Sequence, residues 1–435
     1  MTFTATRFYR NPIFILMALP VFAFFNSSCN ATPASKSNVA EDSISIIHLP
    51  KPEKIAAAEA EKIRQACQAW YDTVLMQKGF NGGMIVAKNG NIVFEKYVGT
   101  GHLPGSDAIT DSTPMHIASI SKTFTAMAVL KLMQDGKLSL DDEFSKYFSA
   151  FNYPGVTIRC LLSHRSGLPN YNYFMETLGW DKSRFVKNED VLDYLITRKA
   201  ELPDITPPNT HFTYCNTNYA LLALLIEKIT GFKYGDYMNR TFFKPLQMKH
   251  TYVFSLADTL KAIPSYNWRG TAEAFSFLDQ VYGDKNIYTT PKDLLTWDRA
   301  LSSNLIFTPE TLEQAYAPYS NEKPGQHNYG LGWRMNIFPD GNKIIYHNGW
   351  WHGSNAAFIR LLKEKATIIL IGNRFTRSVY HAKVLTSIFG DYYLPTEEEE
   401  SISKDSIKSV TAVAKTDTSL VKPVKKDVKK KKGRI

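Results

Sequence analysis

A serine and a lysine three residues apart, Ser119 and Lys122, open an apolar segment that runs to about Met133. If a helix begins here, both side chains lie on one of its faces. A serine hydroxyl is too weakly acidic to attack a carbonyl at neutral pH and needs a neighbouring base. A lysine amine can be that base if burial or positive neighbours lower its pKa from the usual value of about 10.4. The pair therefore predicts nucleophilic catalysis, with the free N–H groups of the helix start available to an oxyanion.

The same spacing of serine and lysine recurs in this chain, so the spacing alone is a weak signal. It is found also at Ser320, Ser401 and Ser419, and an ordinary serine at a helix N-terminus is the common alternative. Only Ser119 stands at the start of an apolar segment of helical length, which could remove water from the lysine. The context therefore favours Ser119 as the nucleophile.

The composition is that of an ordinary globular protein, with 44% hydrophobic and 21% charged residues among 435 and a net charge of +10. Residues 421–435 hold seven lysines and Arg434 against Asp427, so this segment alone contributes +7 of that charge. The rest of the chain is close to neutral, whereas a nucleic-acid-binding fold would spread basic charge over a folded face. We therefore expect no nucleic-acid partner. The Lys-rich tail is either merely solvated or in contact with an anionic surface.

The two ends of the chain differ from its middle. Residues 1–29 predict an export signal, because two arginines precede a short apolar run and small polar residues follow. Cys29 comes directly after two serines and predicts a lipoprotein processing site, with residues 30–50 as a flexible tether. We expect an exported protein, periplasmic or anchored to the membrane through a lipid on Cys29. Residues 51–395 would form the folded domain, and residues 396–435 a disordered Lys-rich tail.

The apolar pattern within residues 51–395 predicts strands near both ends of the domain. A helix begins at about residue 52, where Ile63, Cys67, Trp70 and Val74 form one apolar stripe. Asn89-Gly90 then predicts a hairpin between two apolar runs. The expected strands are residues 83–88, 92–98, 329–338, 343–346, 356–362 and 367–372, followed by a last helix at residues 379–389.

Residues of about 135–310, between these two groups of strands, are predicted to be mostly helix and loop. We therefore predict an α+β fold, a mixed α/β sandwich, in which one antiparallel sheet is built from both chain ends. Helices would flank this sheet, and residues of about 135–310 would form an inserted helical lobe with a cleft beside it.

Four stretches together resemble the serine beta-lactamase and penicillin-binding-protein superfamily. They are residues 117–125, 156–169, 212–219 and 346–350, and they occur in the order found in that family. The branch most alike contains class C beta-lactamases, D-alanyl-D-alanine carboxypeptidases, D-aminopeptidases and related esterases. The resemblance covers roughly residues 75–393. It implies a beta-lactamase-like fold and makes Ser119 the nucleophile with Lys122 as its helper amine.

The second family element, Tyr-x-Asn, is similar to Tyr214-Cys215-Asn216. The resemblance implies that Tyr214 shares proton transfer with Lys122 and that Asn216 lies against the substrate. Cys215 replaces a serine that is often found there, and we expect a small-residue replacement and not a nucleophilic thiol. His164 belongs to a stretch that resembles a structural signature of the family, so no Ser–His–Asp triad is expected.

The third family element resembles His347-Asn348-Gly349, the His-x-Gly form of the Lys-Thr-Gly strand of beta-lactamases. The resemblance implies that Gly349 lets the strand lie close to the substrate. The backbone N–H of Trp350 would join that of Ser119 in an oxyanion hole. His347 replaces a lysine that is expected to hold the carboxylate of a lactam, which favours peptidases and esterases over beta-lactamases.

The resemblance implies a serine hydrolase that acts by acyl transfer on D-amino-acid peptides or amides, or on small esters, in the cell envelope. Beta-lactamase activity at the same site and a non-catalytic, peptide-binding envelope protein are the alternatives. The chemistry requires no metal and no cofactor, and the four cysteines lack the spacing of a zinc site. Aromatic side chains could line the acyl pocket or equally pack in the core: Tyr171, Tyr173, Trp350 and Trp351.

Overall fold

The computed structural model of this chain describes residues 44–203, 205–322 and 325–392. The predicted export signal, Cys29 and the Lys-rich tail lie outside these ranges. Residues 44–50, the described part of the expected tether, have no regular secondary structure, and the Ile47 N–H donates to the Pro245 carbonyl at 2.8 Å. Within the described ranges, no helix is both long and apolar enough to cross a bilayer.

A seven-stranded antiparallel sheet forms the centre of the domain, in the order β2-β1-β10-β9-β8-β7-β6. Its strands are β1 Gly82–Lys88, β2 Asn91–Val98, β6 His327–Tyr329, β7 Arg334–Ile337, β8 Lys343–Trp351, β9 Ser354–Leu361 and β10 Ala366–Gly372. The N-terminal hairpin β1–β2 pairs with the C-terminal strand β10 along all of β1. The predicted α+β fold, with one antiparallel sheet from both chain ends, is confirmed.

Both faces of this sheet are covered, which explains why its central strands show no regular alternation of apolar and polar residues. All residues of β9 and β10 are buried. Successive side chains of a strand point to opposite faces. Accordingly Ile369 belongs to the core cluster on one face, together with Phe124 and Trp297, and Ile368 belongs to the cluster on the other face, together with Trp70.

The helices cover these two faces and build the region beside the sheet. They are α1 Ala57–Trp70, α2 Ser121–Gln134, α3 Ile158–Leu162, α4 Tyr171–Thr177, α5 Asn188–Thr197, α6 Asn216–Thr230, α7 Tyr234–Met238, α8 Pro291–Leu301 and α9 Pro309–Ala315. A second, three-stranded sheet was not predicted. Its order is β3-β5-β4, with β3 Met115–His116, β4 Tyr252–Val253 and β5 Ile287–Thr289. Strands of two or three residues are too short to show a period-two pattern.

Three C-terminal elements differ from the sequence prediction. The expected strand at residues 329–338 is divided into β6 and β7 by a turn in which the Gly330 N–H donates to the Trp333 carbonyl at 2.7 Å. Gly332 in this turn has a φ of +86°, a conformation that a strand does not use. Strand β8 continues through Trp351, five residues beyond its predicted end. The last helix, Arg377–Ile388, has 3₁₀ geometry.

Candidate active site

Ser119 lies in a single 3₁₀ turn, Ala118–Ile120, directly before helix α2. Ala118 has a φ of +47°, which is strained for a residue that carries a Cβ. Strand β5 holds the turn from both sides. The Ile117 N–H donates to the Ile287 carbonyl at 3.0 Å, and the Ile287 N–H donates to Ser121 Oγ at 3.1 Å. The backbone that presents Ser119 is thus fixed by a strand far away in sequence.

The amine of Lys122 is directed at the hydroxyl of Ser119. Its Nζ donates to Ser119 Oγ at 3.0 Å and to the backbone carbonyl of Asp284 at 2.8 Å. The lysine is completely buried, and its Nζ lies 5.1 Å from the ring centroid of Tyr214. The amine therefore has one contact that fixes its position and one with the hydroxyl that it could deprotonate.

Tyr214 precedes helix α6, and its ring packs against the imidazole of His164. The ring centroids of the two residues are 4.4 Å apart, and the Cys215 N–H donates to His164 Nδ1 at 3.1 Å. Burial, with the positive charges of Lys122 and Arg334, lowers the pKa of His164 well below its usual value. A neutral imidazole can accept this hydrogen bond. Burial also raises the pKa of the Cys215 thiol, which disfavours a thiolate there.

Asn216, the first residue of α6, presents an amide to the cleft. Its Nδ2 donates to Asn172 Oδ1 at 2.9 Å. Its Oδ1 is buried and has no hydrogen-bond partner among the described residues. A buried acceptor without a partner costs free energy, so a hydrogen-bond donor that reached this oxygen would be favoured.

Strand β8 passes so close to the Ser119 turn that only glycine fits at position 349. A Cβ on Gly349 would lie 2.2 Å from the Ile117 carbonyl oxygen. On the other side the Tyr380 hydroxyl donates to the Gly349 carbonyl at 2.9 Å. Trp350 follows on the strand, with its side chain 65% exposed. The backbone at Trp350 is thereby brought beside the turn that carries Ser119.

His347 is present in the strand but is neither exposed nor positively charged at neutral pH. It is 1% exposed, and burial, with the charges of Arg334 and Lys122, lowers its pKa well below the usual value. In the neutral form its Nδ1–H donates to the Asn348 carbonyl at 2.7 Å. Its Nε2 can then accept from the Tyr329 hydroxyl at 3.3 Å. His347 therefore cannot take over the charge of the lysine that it replaces.

Arg334, which the sequence did not indicate, supplies a positive charge in the cleft. It lies on β7 opposite Tyr346 of β8, and its guanidinium carbon lies 4.9 Å from the ring centroid of Tyr214. Among the described residues no carboxylate pairs with it. No local motif marks this arginine, because only the pairing of β7 with β8 brings it to the site.

Most of these residues surround one cleft of about 820 Å³, whereas the buried Lys122 and His164 are not part of its lining. Ser119, Tyr214, Asn216, His347, Gly349 and Trp350 all line it. Side chains that were not assigned to the site also line it: Asn170, Asn172, Glu273, Arg334, Tyr346, His352 and Tyr380. Within the described ranges, in this cleft and outside it, no group of three or more His, Cys, Asp or Glu side chains could hold a metal ion.

Of the four aromatic residues considered for the acyl pocket, Tyr173, Trp350 and Trp351 line the cleft, whereas Tyr171 is buried behind it. The Tyr171 hydroxyl donates to Asp284 Oδ2 at 2.9 Å and accepts from Lys285 Nζ. Burial, together with Asp284, raises the pKa of Tyr171 well above its usual value. This network is joined to the site because the Asp284 carbonyl accepts from Lys122.

Sequence comparison relates this chain to one protein family and to curated proteins. The profile of the Beta-lactamase family matches residues 63–389. Penicillin-binding protein 4* of Bacillus subtilis (strain 168) is 28% identical over 365 residues, which cover 79% of this chain and 80% of that protein.

Two solved structures share the fold. The penicillin-binding protein from Bacillus halodurans has a TM-score of 0.65 and 23% identity, over 73% of this chain and 98% of that one. The D-amino acid amidase from Ochrobactrum anthropi SV3, solved with L-phenylalanine amide, has a TM-score of 0.61 and 21% identity, over 82% of this chain and 99% of that one. Identities this low show the fold alone.

Proposed function

The chain belongs to the beta-lactamase family of serine hydrolases, and from that premise we propose that Ser119, Lys122 and Tyr214 perform acyl transfer on D-amino-acid peptides or amides, or on small esters. The observation that carries the proposal is the 3.0 Å hydrogen bond from the buried Lys122 Nζ to Ser119 Oγ. A nucleophile and a base within hydrogen-bond reach, with the base fixed by a third group, are the geometry that such catalysis needs. The carbonyl of Asp284 is that third group.

In this mechanism Ser119 Oγ attacks the substrate carbonyl while its proton passes to the Lys122–Tyr214 pair. The backbone N–H groups of Ser119 and Trp350 stabilise the tetrahedral oxyanion. The pair returns the proton to the leaving alcohol or amine, and the acyl group remains on Ser119. A water molecule then attacks the acyl-enzyme with the same pair as base, which releases the acid and restores the hydroxyl.

Arg334 in the cleft favours substrates that carry a carboxylate on the leaving-group side. A guanidinium without a carboxylate partner is suited to bind one through charge-assisted hydrogen bonds. The carboxyl end of a D-amino-acid peptide provides such a group. A beta-lactam provides one as well, so Arg334 also favours the alternative of beta-lactamase activity, which the replacement of the lysine by His347 had disfavoured.

We propose further that the protein is exported and acts in the cell envelope, as the apolar run of residues 13–25 after Arg7 and Arg10 indicates. Attachment through Cys29 and contact of the Lys-rich tail with anionic surfaces belong to this proposal. A Cys29→Ser variant that stays in the membrane fraction would contradict the lipid anchor.

The test of the catalytic assignment is intact-mass analysis after reaction with a fluorophosphonate serine probe. The wild type should gain one adduct and Ser119→Ala none, because only an activated serine reacts rapidly with the probe. Ser320→Ala is the matched control, because Ser320 has the same spacing to a lysine, and it should label as the wild type does. Hydrolysis of a D-alanyl peptide or a small ester should fall by about 10³- to 10⁶-fold in Ser119→Ala.

An adduct that persists in Ser119→Ala would place the nucleophile elsewhere. If the wild type gains no adduct and hydrolyses neither substrate, the non-catalytic, peptide-binding alternative is favoured.

A further inference from the structure

A second cavity, here called the side pocket, opens beside the active-site cleft and has a volume of about 270 Å³. Glu273, Trp351 and His352 line both spaces, so the two are neighbours across these three residues. An engineered apolar cavity of about 150 Å³ is large enough to bind benzene. The side pocket is therefore large enough for one aromatic ring and a short linker.

The walls of the side pocket are mainly aromatic and aliphatic. They include Phe254, Leu260, Ile263, Pro264, Phe275 and Tyr288. Several of these belong to the segment between β4 and β5, where Leu260 is 99% and Phe275 46% exposed. Exposed apolar side chains that gather around a concavity mark a place where apolar groups of a ligand can be buried.

The polar groups on the floor of the side pocket are already paired with one another. Asp279 accepts from the Trp351 indole N–H at 2.7 Å and lies 3.1 Å from His352 Nε2. His116 Nε2 accepts from the Asn286 N–H at 3.2 Å. Because these groups have partners, an apolar occupant would leave none of these hydrogen bonds unmade.

The position of the side pocket along strand β8 decides which part of a substrate could reach it. Gly349 lies beside the Ser119 turn, and Arg334 pairs with Tyr346 on one side of it. Trp351, the last residue of β8, lies on the other side, about 7 Å along the strand at about 3.3 Å per residue, and His352 follows it in the turn. The scissile carbonyl at Ser119 therefore lies between the carboxylate-binding arginine and the side pocket.

We propose that the side pocket binds an apolar or aromatic acyl group of the substrate, on the side of the scissile carbonyl opposite to Arg334. This inference rests on the proposed function and specifies its substrate class. Glu273 lines both spaces and has no cationic partner among the described residues. Its carboxylate disfavours acyl groups that carry a negative charge and favours neutral or amino-bearing ones.

The experiment compares two esters with the same leaving group, 4-nitrophenyl acetate and 4-nitrophenyl 4-phenylbutyrate. In each case Ser119 releases 4-nitrophenol, and water then releases the carboxylic acid. The wild type should prefer the phenylbutyrate in kcat/KM by about 10- to 100-fold, because the phenyl group is buried only in that ester. Ser119→Ala gives the background for both esters.

Ala274 provides the blocking variant, because it lines the side pocket and is exposed, so a larger side chain need not disturb the core. Ala274→Trp should reduce the preference for phenylbutyrate to within about threefold of unity, because the indole takes the space of the phenyl group. The matched control is Ala272→Trp, two residues earlier in the same exposed segment and in the lining of neither cavity. It should keep the wild-type preference.

The ratio of the two rates is taken within each variant, so a loss of folded protein cancels. If the wild type hydrolyses the acetate through Ser119 but shows no preference, the side-pocket assignment is wrong and the proposed function stands. If Ala274→Trp keeps the preference, the phenyl group binds elsewhere and the assignment is also wrong. If neither ester is hydrolysed in a Ser119-dependent way, both the proposed function and this inference fail.

Discussion

At the scale of single residues, the site keeps the amine that would act on Ser119 apart from the cation that would bind substrate. Lys122 is buried and directed at Ser119, whereas Arg334 faces the cleft without a carboxylate partner. His347 performs neither function, because it is a neutral imidazole. Burial, together with the charges of Arg334 and Lys122, lowers its pKa. The neutral histidine of the His-x-Gly element therefore does not supply this positive charge, and we propose that Arg334 on the neighbouring strand supplies it.

Replacement of Arg334 by methionine should weaken the use of substrates that end in a carboxylate. A hydrogen bond to a charged group contributes about 1.5–3 kcal/mol, so kcat/KM for a D-alanyl-D-alanine peptide should fall by about 10- to 150-fold. The same peptide with an amidated C-terminus should change by less than about threefold. The measurement is kcat/KM for both peptides in the wild type and in Arg334→Met.

A suitable control for this variant is Arg184→Met. Arg184 also lies over an aromatic ring, that of Trp180 at 5.3 Å, but it does not line the cleft. If Arg334→Met slows the acid and the amide equally, Arg334 acts by holding the ring of Tyr214 and does not bind the carboxylate.

At the scale of elements, the site is made where strand β8 meets the turn before helix α2. The turn is strained at Ala118 and is held by hydrogen bonds to β5. The strand approaches to the distance that only a glycine permits. Backbone groups fixed in this way need little reorganisation when charge develops on a bound carbonyl, which is the condition for an effective oxyanion hole.

Replacement of Gly349 by alanine should disable the site without unfolding the domain. The added Cβ would lie 2.2 Å from the Ile117 carbonyl oxygen, so β8 has to move away from the Ser119 turn. Loss of one oxyanion donor reduces turnover by about 10²- to 10³-fold, and we expect a decrease of that size in ester hydrolysis. Circular dichroism and thermal unfolding would show that the sheet is retained.

The control for this variant is Gly235→Ala, because the nearest atom to a Cβ at that position is 3.5 Å away. It should retain the wild-type rate. A Gly349→Ala protein that hydrolyses esters at the wild-type rate would mean that the strand does not supply an oxyanion donor.

At the scale of the whole molecule, the two-sided burial of the sheet and the packing of the site exclude several histidines from water. His116, His164 and His347 are each at most 6% exposed. Burial is the first cause that lowers the pKa of each of them, and that of His116 falls to about 3. For His116 the neighbouring Asp279 acts in the opposite direction, and Lys285 and His352 act in the same direction as burial.

This burial predicts that the folded state loses stability as the pH falls from 6.5 to 5. The unfolded chain binds a proton at each histidine below its usual pKa of about 6.5, whereas the folded chain does not, so unfolding becomes easier in acid. Each histidine that stays neutral should contribute about 1.5 kcal/mol to this loss over that interval. The loss should continue for His116 until the pH reaches about 3.

Urea unfolding at pH 6.5 and at pH 5.0 would measure this effect before most carboxylates begin to bind protons. His116→Gln should decrease the difference between the two pH values by about 1.5 kcal/mol. His48→Gln removes an exposed histidine and should leave the difference unchanged. An equal pH dependence in His116→Gln and the wild type would show that the imidazole of His116 is protonated in the folded state.

The sequence by itself determined the features that depend on neighbours in the chain. The spacing of Ser119 and Lys122, together with the apolar segment of helical length that follows them, predicted that their side chains share one face. Asn89-Gly90 indicated the β1–β2 hairpin. The first and last residues of the expected strands, 356–362 and 367–372, lie within two residues of the bounds of β9 and β10. Long apolar runs are the strongest signal for buried strands.

Only the tertiary structure decided the features that depend on pairing between distant segments. Arg334 reaches the cleft through the register of β7 with β8, and Tyr171 is turned away from it by hydrogen bonds to Asp284 and Lys285. The side pocket lies where the segment between β4 and β5 meets the end of β8. The physical reason is that local periodicity reports which face of an element is buried, whereas strand register and loop packing are set by contacts that no spacing in the sequence encodes.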